Sequence, residues 1–287
     1  MKNKIILITG ATDGIGKESA KALAKQGHTL ILHGRNETKA QAVCEEIKSE
    51  TGNNNIDIII ADLLSFQDIK RMADDFKKKY DRLDVLINNA GSCFGKVRET
   101  TKSGFEKTMA LNLFAPFLLT ELLLDILAKS PAARVVNVSS KLHEWSGKPD
   151  FGDLQLEKNY APVKAYGLSK LYLIWITRHL SSLLQKKGIT NITVNSVHPG
   201  AVATNIWQRS DKGFIYNLLS KLASPVMVKP SCGAQTSIYV ATSSDLENVS
   251  GKYFANKKIA KTCDKYYSPE NEQAIWDYCK KITEKYL

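Results

Sequence analysis

The sequence is short of cysteine, short of acidic side chains, and without any long uninterrupted apolar run. Its five cysteines, Cys44, Cys93, Cys232, Cys263 and Cys279, are odd in number and never spaced C-x-x-C. That argues against a disulfide framework and against a zinc site, and it fits a reducing compartment. No metal is expected. The most apolar run, Leu113 to Leu124, is broken by Pro116, Thr120 and Glu121 and is too short for a bilayer. No cleavage-type sequence follows the apolar residues near the start, so a signal peptide is not expected and a cytoplasmic location is. Neither repeats nor low-complexity linkers divide the 287 residues, and one domain over 1–287 is the expectation.

The acid deficit is 29 Asp plus Glu against 40 Lys plus Arg, a formal charge of +11. Such a surface can attract nucleic acid, anionic lipid or a phosphorylated ligand. The lysines are scattered, however, in short groups such as Lys77-Lys78-Lys79 and Lys257-Lys258, which read as solvated helix ends. No nucleic-acid partner is expected.

What is present is a regular alternation. Short runs rich in Ile, Val and Leu lie at Lys4–Ile8, Thr29–His33, Ile56–Ala61, Val85–Asn88, Arg134–Val138, Ile192–Val197 and Lys252–Phe254. Continuous apolar runs of this length suit strands buried on both faces of a parallel sheet. Between them fall amphipathic stretches at Lys17–Lys25, Lys39–Glu50, Phe66–Lys79, Gly104–Ala128 and Tyr166–Lys187. The pattern predicts an α/β fold, a doubly wound Rossmann-type domain with a seven-stranded parallel sheet. Residues 205–230, with Trp207, Phe214 and Tyr216, fit neither element; a surface helix pair and a lid over a ligand are both open readings.

Thr9-Gly-Ala-Thr-Asp-Gly-Ile-Gly16 joins the first strand to the first helix, with glycines at 10, 14 and 16. Glycine lets a backbone approach a ligand closely, and a helix N-terminus offers free N–H groups to an anion. Near the end of the second strand, where Rossmann-type proteins read the adenosine ribose, stand Arg35 and Asn36 with no carboxylate. Arg35 suits a 2′-phosphate, so NADP(H) is expected ahead of NAD(H). Asp13 inside the turn would repel that phosphate unless it turns aside to cap the helix.

In order along the chain follow Asp62-Leu63, Asn88-Asn89-Ala90-Gly91, Asn112 in "ALNLF", Ser139-Ser140, Tyr166-x-x-x-Lys170, and His198-Pro199-Gly200 with Thr204. Together with the glycine turn these resemble the short-chain dehydrogenase/reductase family over nearly the whole chain. "NVSS", "SVHPG" and "SGKYF" are most similar to its retinol dehydrogenase-like branch. Tyr166 and Lys170 are four apart, hence one helical turn apart on one face. An ammonium beside a phenol favours the phenolate, so Tyr166 is expected to have a lowered pKa and to serve as acid or base. Ser140 can hydrogen-bond the same carbonyl oxygen, whereas Ser139 reads as a packing residue. The resemblance implies an Asn112–Ser140–Tyr166–Lys170 tetrad, with Asn112 holding a water that links the lysine to solvent.

It also implies a cofactor site of Gly10, Thr12, Asp13, Gly14, Ile15, Gly16, Arg35, Asn36, Asp62, Leu63, Asn89, Ala90, Gly91, Tyr166, Lys170, Pro199, Gly200, Val202 and Thr204. The implied reaction is hydride transfer between NADP(H) and a small-molecule carbonyl or alcohol, apolar if Trp145 and the 205–230 segment face it, in a monomer or homodimer. A dinucleotide sensor without catalysis, and an NAD(H)-preferring dehydrogenase, are the alternatives. The segment from Lys141 to Ala165 is longer than in compact relatives; His143 within it reads as polar surface, with no role.

Overall fold

The computed structural model describes residues 3–200 and 229–287. Eight strands form one sheet in the order β3-β2-β1-β4-β5-β6-β7-β8. They are β1 (Ile5–Ile8), β2 (Thr29–Gly34), β3 (Ile56–Ile60), β4 (Val85–Asn88), β5 (Ala133–Val138), β6 (Ile192–His198), β7 (Tyr253–Ala255) and β8 (Lys258–Ile259). The first seven are parallel. The eighth, absent from the sequence reading, is a two-residue antiparallel return from β7. Asn256 and Lys257 both take positive φ there, 50° and 61°, the geometry of a tight hairpin turn. Asn-Lys is a weak signal for such a turn, which explains the missed strand.

Alternation along each strand sends side chains to two helical layers. Leu7, Ile31, Leu86 and Val135 face one core, packed by α3 (Phe66–Lys79), the α4 region (residues 107–127), α5 (Pro162–Lys186) and α7 (Pro269–Thr283). Ile6, Ile8, Leu30, Leu32 and Ile87 face the other, under α1 (Gly14–Lys25), α2 (Glu37–Thr51) and α6 (Pro230–Thr242).

Helices α1 and α2 begin three and two residues before their predicted starts, and two further differences bear on the site. The α4 region begins at Lys107 and not at 104, because the buried Glu106 carboxylate accepts from Thr108 N and Met109 N at 2.8 and 2.7 Å and caps it there. It passes through a wider π turn, Ala110–Phe114, before resuming as Ala115–Leu127. The apolar run Leu113 to Leu124 thus lies inside a longer helix, Lys107–Leu127, whose 21 residues are by length and composition alone long and apolar enough to cross a membrane. Its most apolar window is 83% buried, so that surface is spent on the core. Helix α5 starts four residues earlier than expected, with Pro162 at the first position, where its missing N–H costs nothing.

The strand order reverses at β1/β4, and in sheets of this kind the ligand crevice opens beyond the carboxyl ends at that point. The glycine turn leaves β1 there, and the β4 loop lies opposite it.

Candidate active site

The glycine turn is held from three sides. Thr9 Oγ1 accepts from both Asn89 N and Ala90 N at 3.0 Å. Asn89 Nδ2 returns to Thr9 O at 2.9 Å and Gly10 O at 3.2 Å, which spends that amide on the turn itself. From β2, His33 Nδ1 accepts from Gly10 N at 3.1 Å, while Nε2 lies 3.1 Å from Ala61 O after β3. An amide N–H can only donate, so the imidazole is neutral with its proton on Nε2. Burial holds its pKa down to about 4. Sequence reading treated His33 only as a strand end; its role rests on contacts between three strands, which no local spacing reveals.

Gly10 and Gly14 take positive φ, 64° and 51°. At Gly16 a Cβ would fall 2.3 Å from Gly10 O, so nothing larger than glycine lets α1 begin so close to the turn. Ile15 is buried beneath it and Thr12 packs on Gly34, where a Cβ would lie 2.6 Å from Thr12 Cγ2. Asp13 turns aside: Oδ1 accepts from Gly14 N at 2.8 Å and caps α1, and Oδ2 meets Lys39 Nζ at 2.8 Å. The carboxylate that opposes a phosphate is therefore already engaged.

The rest of the cofactor candidates follow the carboxyl edge. Arg35 and Asn36 are exposed after β2, with Asn36 Oδ1 capping α2 through Lys39 N at 2.8 Å. Asp62 is exposed and accepts from Leu64 N at 3.0 Å, and Leu63 is buried beside it. Ala90 and Gly91 are half-buried beyond β4, and Pro199 and Gly200 beyond β6. Val202, Thr204 and all but the end of the 205–230 segment lie outside the described residues. Among the described residues, no group of three His, Cys, Asp or Glu is placed to hold a metal.

The four candidate reacting residues converge on one spot. Ser140 follows β5 directly and opens a short 3-10 turn, Lys141–Trp145, by accepting from Leu142 N at 3.2 Å. Tyr166, in the second turn of α5, is buried with its phenol against the Ser140 hydroxyl. One turn on, Lys170 Nζ donates to Val138 O at 2.8 Å and lies 5.6 Å from the Tyr166 ring centre. Asn112 sits on the π turn, a helix irregularity common at functional sites. It is wholly buried: Nδ2 donates to Ser92 O and Ser169 Oγ, both at 3.0 Å, and Oδ1 accepts from Ser92 N at 2.9 Å. A Cβ on Gly91 would lie 3.1 Å from both Asn112 Oδ1 and Lys170 Nζ, so the missing side chain is what lets those two groups face each other. Ser139 donates to Lys170 O at 2.9 Å, in keeping with a packing role.

The expected ionisation of the pair is corrected. Burial pushes the Tyr166 phenol above its ordinary value near 10, with the Ser140 hydrogen bond pulling the other way. Burial alone holds Lys170 down to about 7. Helical spacing put the lysine one turn from the phenol, but both groups are desolvated. The resting pair is thus a phenol beside a weakly basic amine.

His143 is corrected too. It is fully buried, with Nδ1 2.7 Å from Ser140 O and Nε2 accepting from Cys263 N at 3.1 Å. Trp145, by contrast, is 68% exposed. Gly167 was also missed: a Cβ there would lie 2.8 Å from Ser146 Cα and 2.9 Å from Leu142 O. The turn carrying Ser140 therefore rests flush on α5 beside Tyr166.

A family model described as short chain dehydrogenase matches residues 4–213. Polyprenol dehydrogenase of Homo sapiens is 39% identical over 279 residues, covering 96% of this chain and 83% of that protein. Retinol dehydrogenase 12 of Mus musculus is 38% identical over 274 residues, covering 96% of this chain and 84% of that one. Among solved structures, a short chain dehydrogenase of Escherichia coli CFT073 complexed with NADPH aligns with a TM-score of 0.68 at 28% identity. That alignment covers 88% of this chain and 96% of the other.

Proposed function

The chain belongs to the short-chain dehydrogenase family, and from that premise we propose that it is an NADP(H)-dependent oxidoreductase acting on an apolar alcohol or its carbonyl counterpart. The observation that carries the proposal is the meeting of Tyr166, Ser140, Lys170 and Asn112 at the carboxyl edge, on the same rim as the glycine turn. The fit to a dinucleotide is steric and electrostatic. Gly16 lets α1 start hard against the glycine turn, and the carboxylate of Asp13, which caps that helix, is tied to Lys39.

When bound, the dinucleotide supplies the hydride in reduction and accepts it in oxidation. The chain supplies the proton, so that carbonyl plus hydride plus proton gives alcohol. Tyr166, a phenol at rest, gives its proton to the carbonyl oxygen as that oxygen becomes basic. Ser140 donates a hydrogen bond to the same oxygen. Lys170 returns a proton to the phenolate, and Asn112, whose amide oxygen faces the lysine across Gly91, holds it in place. In the alcohol-oxidising direction the same groups run in reverse.

Arg35 and the engagement of Asp13 by Lys39 support NADP(H) over NAD(H), and the NADPH complex of the Escherichia coli relative is consistent with it. Retinol and polyprenol, in the names of the two relatives, support an apolar alcohol. The five cysteines are free, which supports a reducing, cytoplasmic setting. The test is NADPH absorbance over a panel of apolar aldehydes and alcohols, with the unmodified protein and Tyr166→Phe. Turnover should fall by about a hundredfold or more in the variant while NADPH still binds. Turnover kept in Tyr166→Phe would remove the tyrosine from the proton step.

A further inference from the structure

We infer that His143 is a positioning residue for Ser140, and that through it the C-terminal segment around Cys263 braces the reacting edge of the site. The inference rests on the reading of Ser140 as a hydrogen-bond donor to the substrate oxygen.

The ring is fixed at both ends. The Cys263 amide can only donate, so Nε2 is the acceptor; in the neutral ring the proton then sits on Nδ1 and is donated to Ser140 O. No other neutral tautomer satisfies both contacts, and an imidazolium would have no lone pair for Cys263. Burial lowers the His143 pKa from its ordinary value, consistent with the neutral form. The ring is also packed edge-on to Tyr253 of β7, with centres 5.1 Å apart.

Ser140 is extended, with φ −154° and ψ 153°, and its carbonyl takes two donors from one residue, His143 N at 3.2 Å and His143 Nδ1 at 2.7 Å. Pinning that carbonyl fixes the peptide plane, and with it the direction in which the Ser140 side chain leaves the backbone. The hydroxyl is then aimed at Tyr166 by a ring on the far side of its own main chain.

The other end of the brace is itself anchored. Arg178, two turns beyond Lys170 on α5, donates to Asp264 Oδ1 at 3.3 Å and to Thr262 Oγ1, and its guanidinium lies 4.9 Å over the Tyr267 ring. The contacts close a loop: Ser140 to His143, to Cys263, through its neighbours Thr262 and Asp264 to Arg178, and back along α5 to Tyr166. The two groups that must meet one substrate oxygen are thus held at a set separation by a segment 120 residues downstream.

Two substitutions separate the two ends of the ring. An asparagine amide can reach the position of Nδ1 and keep the bond to Ser140 O. A glutamine amide reaches the position of Nε2 and keeps only the bond to Cys263. The kcat for carbonyl reduction and the Kd for NADPH are measured for the unmodified protein, His143→Asn, His143→Gln and Ser140→Ala, with kcat expressed per NADPH-binding site. His143→Gln should lose about tenfold to a hundredfold in kcat, as a misplaced hydroxyl does, with the NADPH Kd unchanged. His143→Asn should stay within about threefold of the parent. Equal kcat in all three proteins carrying Ser140, with Ser140→Ala impaired, overturns the inference and leaves the serine's role standing. Full activity in Ser140→Ala overturns the serine's role and this inference with it. Should either histidine variant fail to fold, nitrogen chemical shifts of the unmodified protein decide: a proton on Nδ1 of His143 is required, and one on Nε2 refutes the arrangement.

Discussion

Acid should destabilise this protein through His33, by an amount that the structure sets. In the unfolded chain its imidazole takes a proton as pH falls through about 6.5. In the folded chain burial delays that step to about 4. The folded pKa is depressed, so the stabilisation is complete above about 6.5 and is lost as pH falls toward 4. Each unit in that window costs about 1.4 kcal/mol. From about pH 7.5 to about pH 5 the loss from His33 alone comes to about 2 kcal/mol. His198, also held to about 4 by burial, adds a parallel loss to the parent and to any variant that keeps it. In His33→Gln the first share disappears, while an amide still reaches toward Ala61 O. Urea unfolding at the two pH values should therefore show a fall in stability smaller by about 2 kcal/mol in His33→Gln than in the parent. The variant should also bind NADPH more weakly at neutral pH, because the turn loses the part-buried bond that holds Gly10 N, a change of about 0.5–1.5 kcal/mol. If parent and variant lose stability equally between the two pH values, His33 is not the neutral buried group described.

Two further outcomes are expected. Gly167→Ala places a methyl 2.8 Å from Ser146 Cα. It should cost about 1–3 kcal/mol in stability and lower kcat through displacement of the Ser140 turn, with NADPH affinity kept; an unchanged melting temperature and kcat would show that the turn yields freely. Arg35→Ala should weaken NADPH binding by about 1.5–3 kcal/mol, as measured by fluorescence titration, and leave NADH untouched. Equal losses for both dinucleotides would place Arg35 elsewhere than at the 2′-phosphate.

Much of the fold was legible because strands buried on both faces have little choice but Ile, Val and Leu, as in β1, β2 and β5. Asn112 stood out for a related reason, a lone amide in an apolar helix, and the structure buries it with every amide proton used. His143 and His33 escaped because their partners come from other strands and from a segment 120 residues away, so no window of sequence holds the contact. The ionisation of Tyr166 and Lys170 was misread because spacing reports which groups are neighbours and says nothing of how dry they are. The π turn was invisible for a similar reason: it changes hydrogen bonding along α4 without changing its apolar pattern.

The brace between His143 and Cys263 has a consequence for how the protein is made. Synthesis runs at about 5–20 residues per second, so roughly 6 to 24 s pass between the histidine and its partner leaving the ribosome. During that interval the nascent chain holds the glycine turn and, later, the tyrosine and lysine, while β6 waits for β7 and presents an unpaired edge. Edges of that kind recruit other strands. The motif-bearing part of the chain is thus born before the part that steadies it, and the β6 edge stays open until Tyr253–Ala255 emerges. Help from a chaperone would matter most in that interval, and a ribosome stalled there would leave a chain with the glycine turn, the tyrosine and the lysine and no finished site.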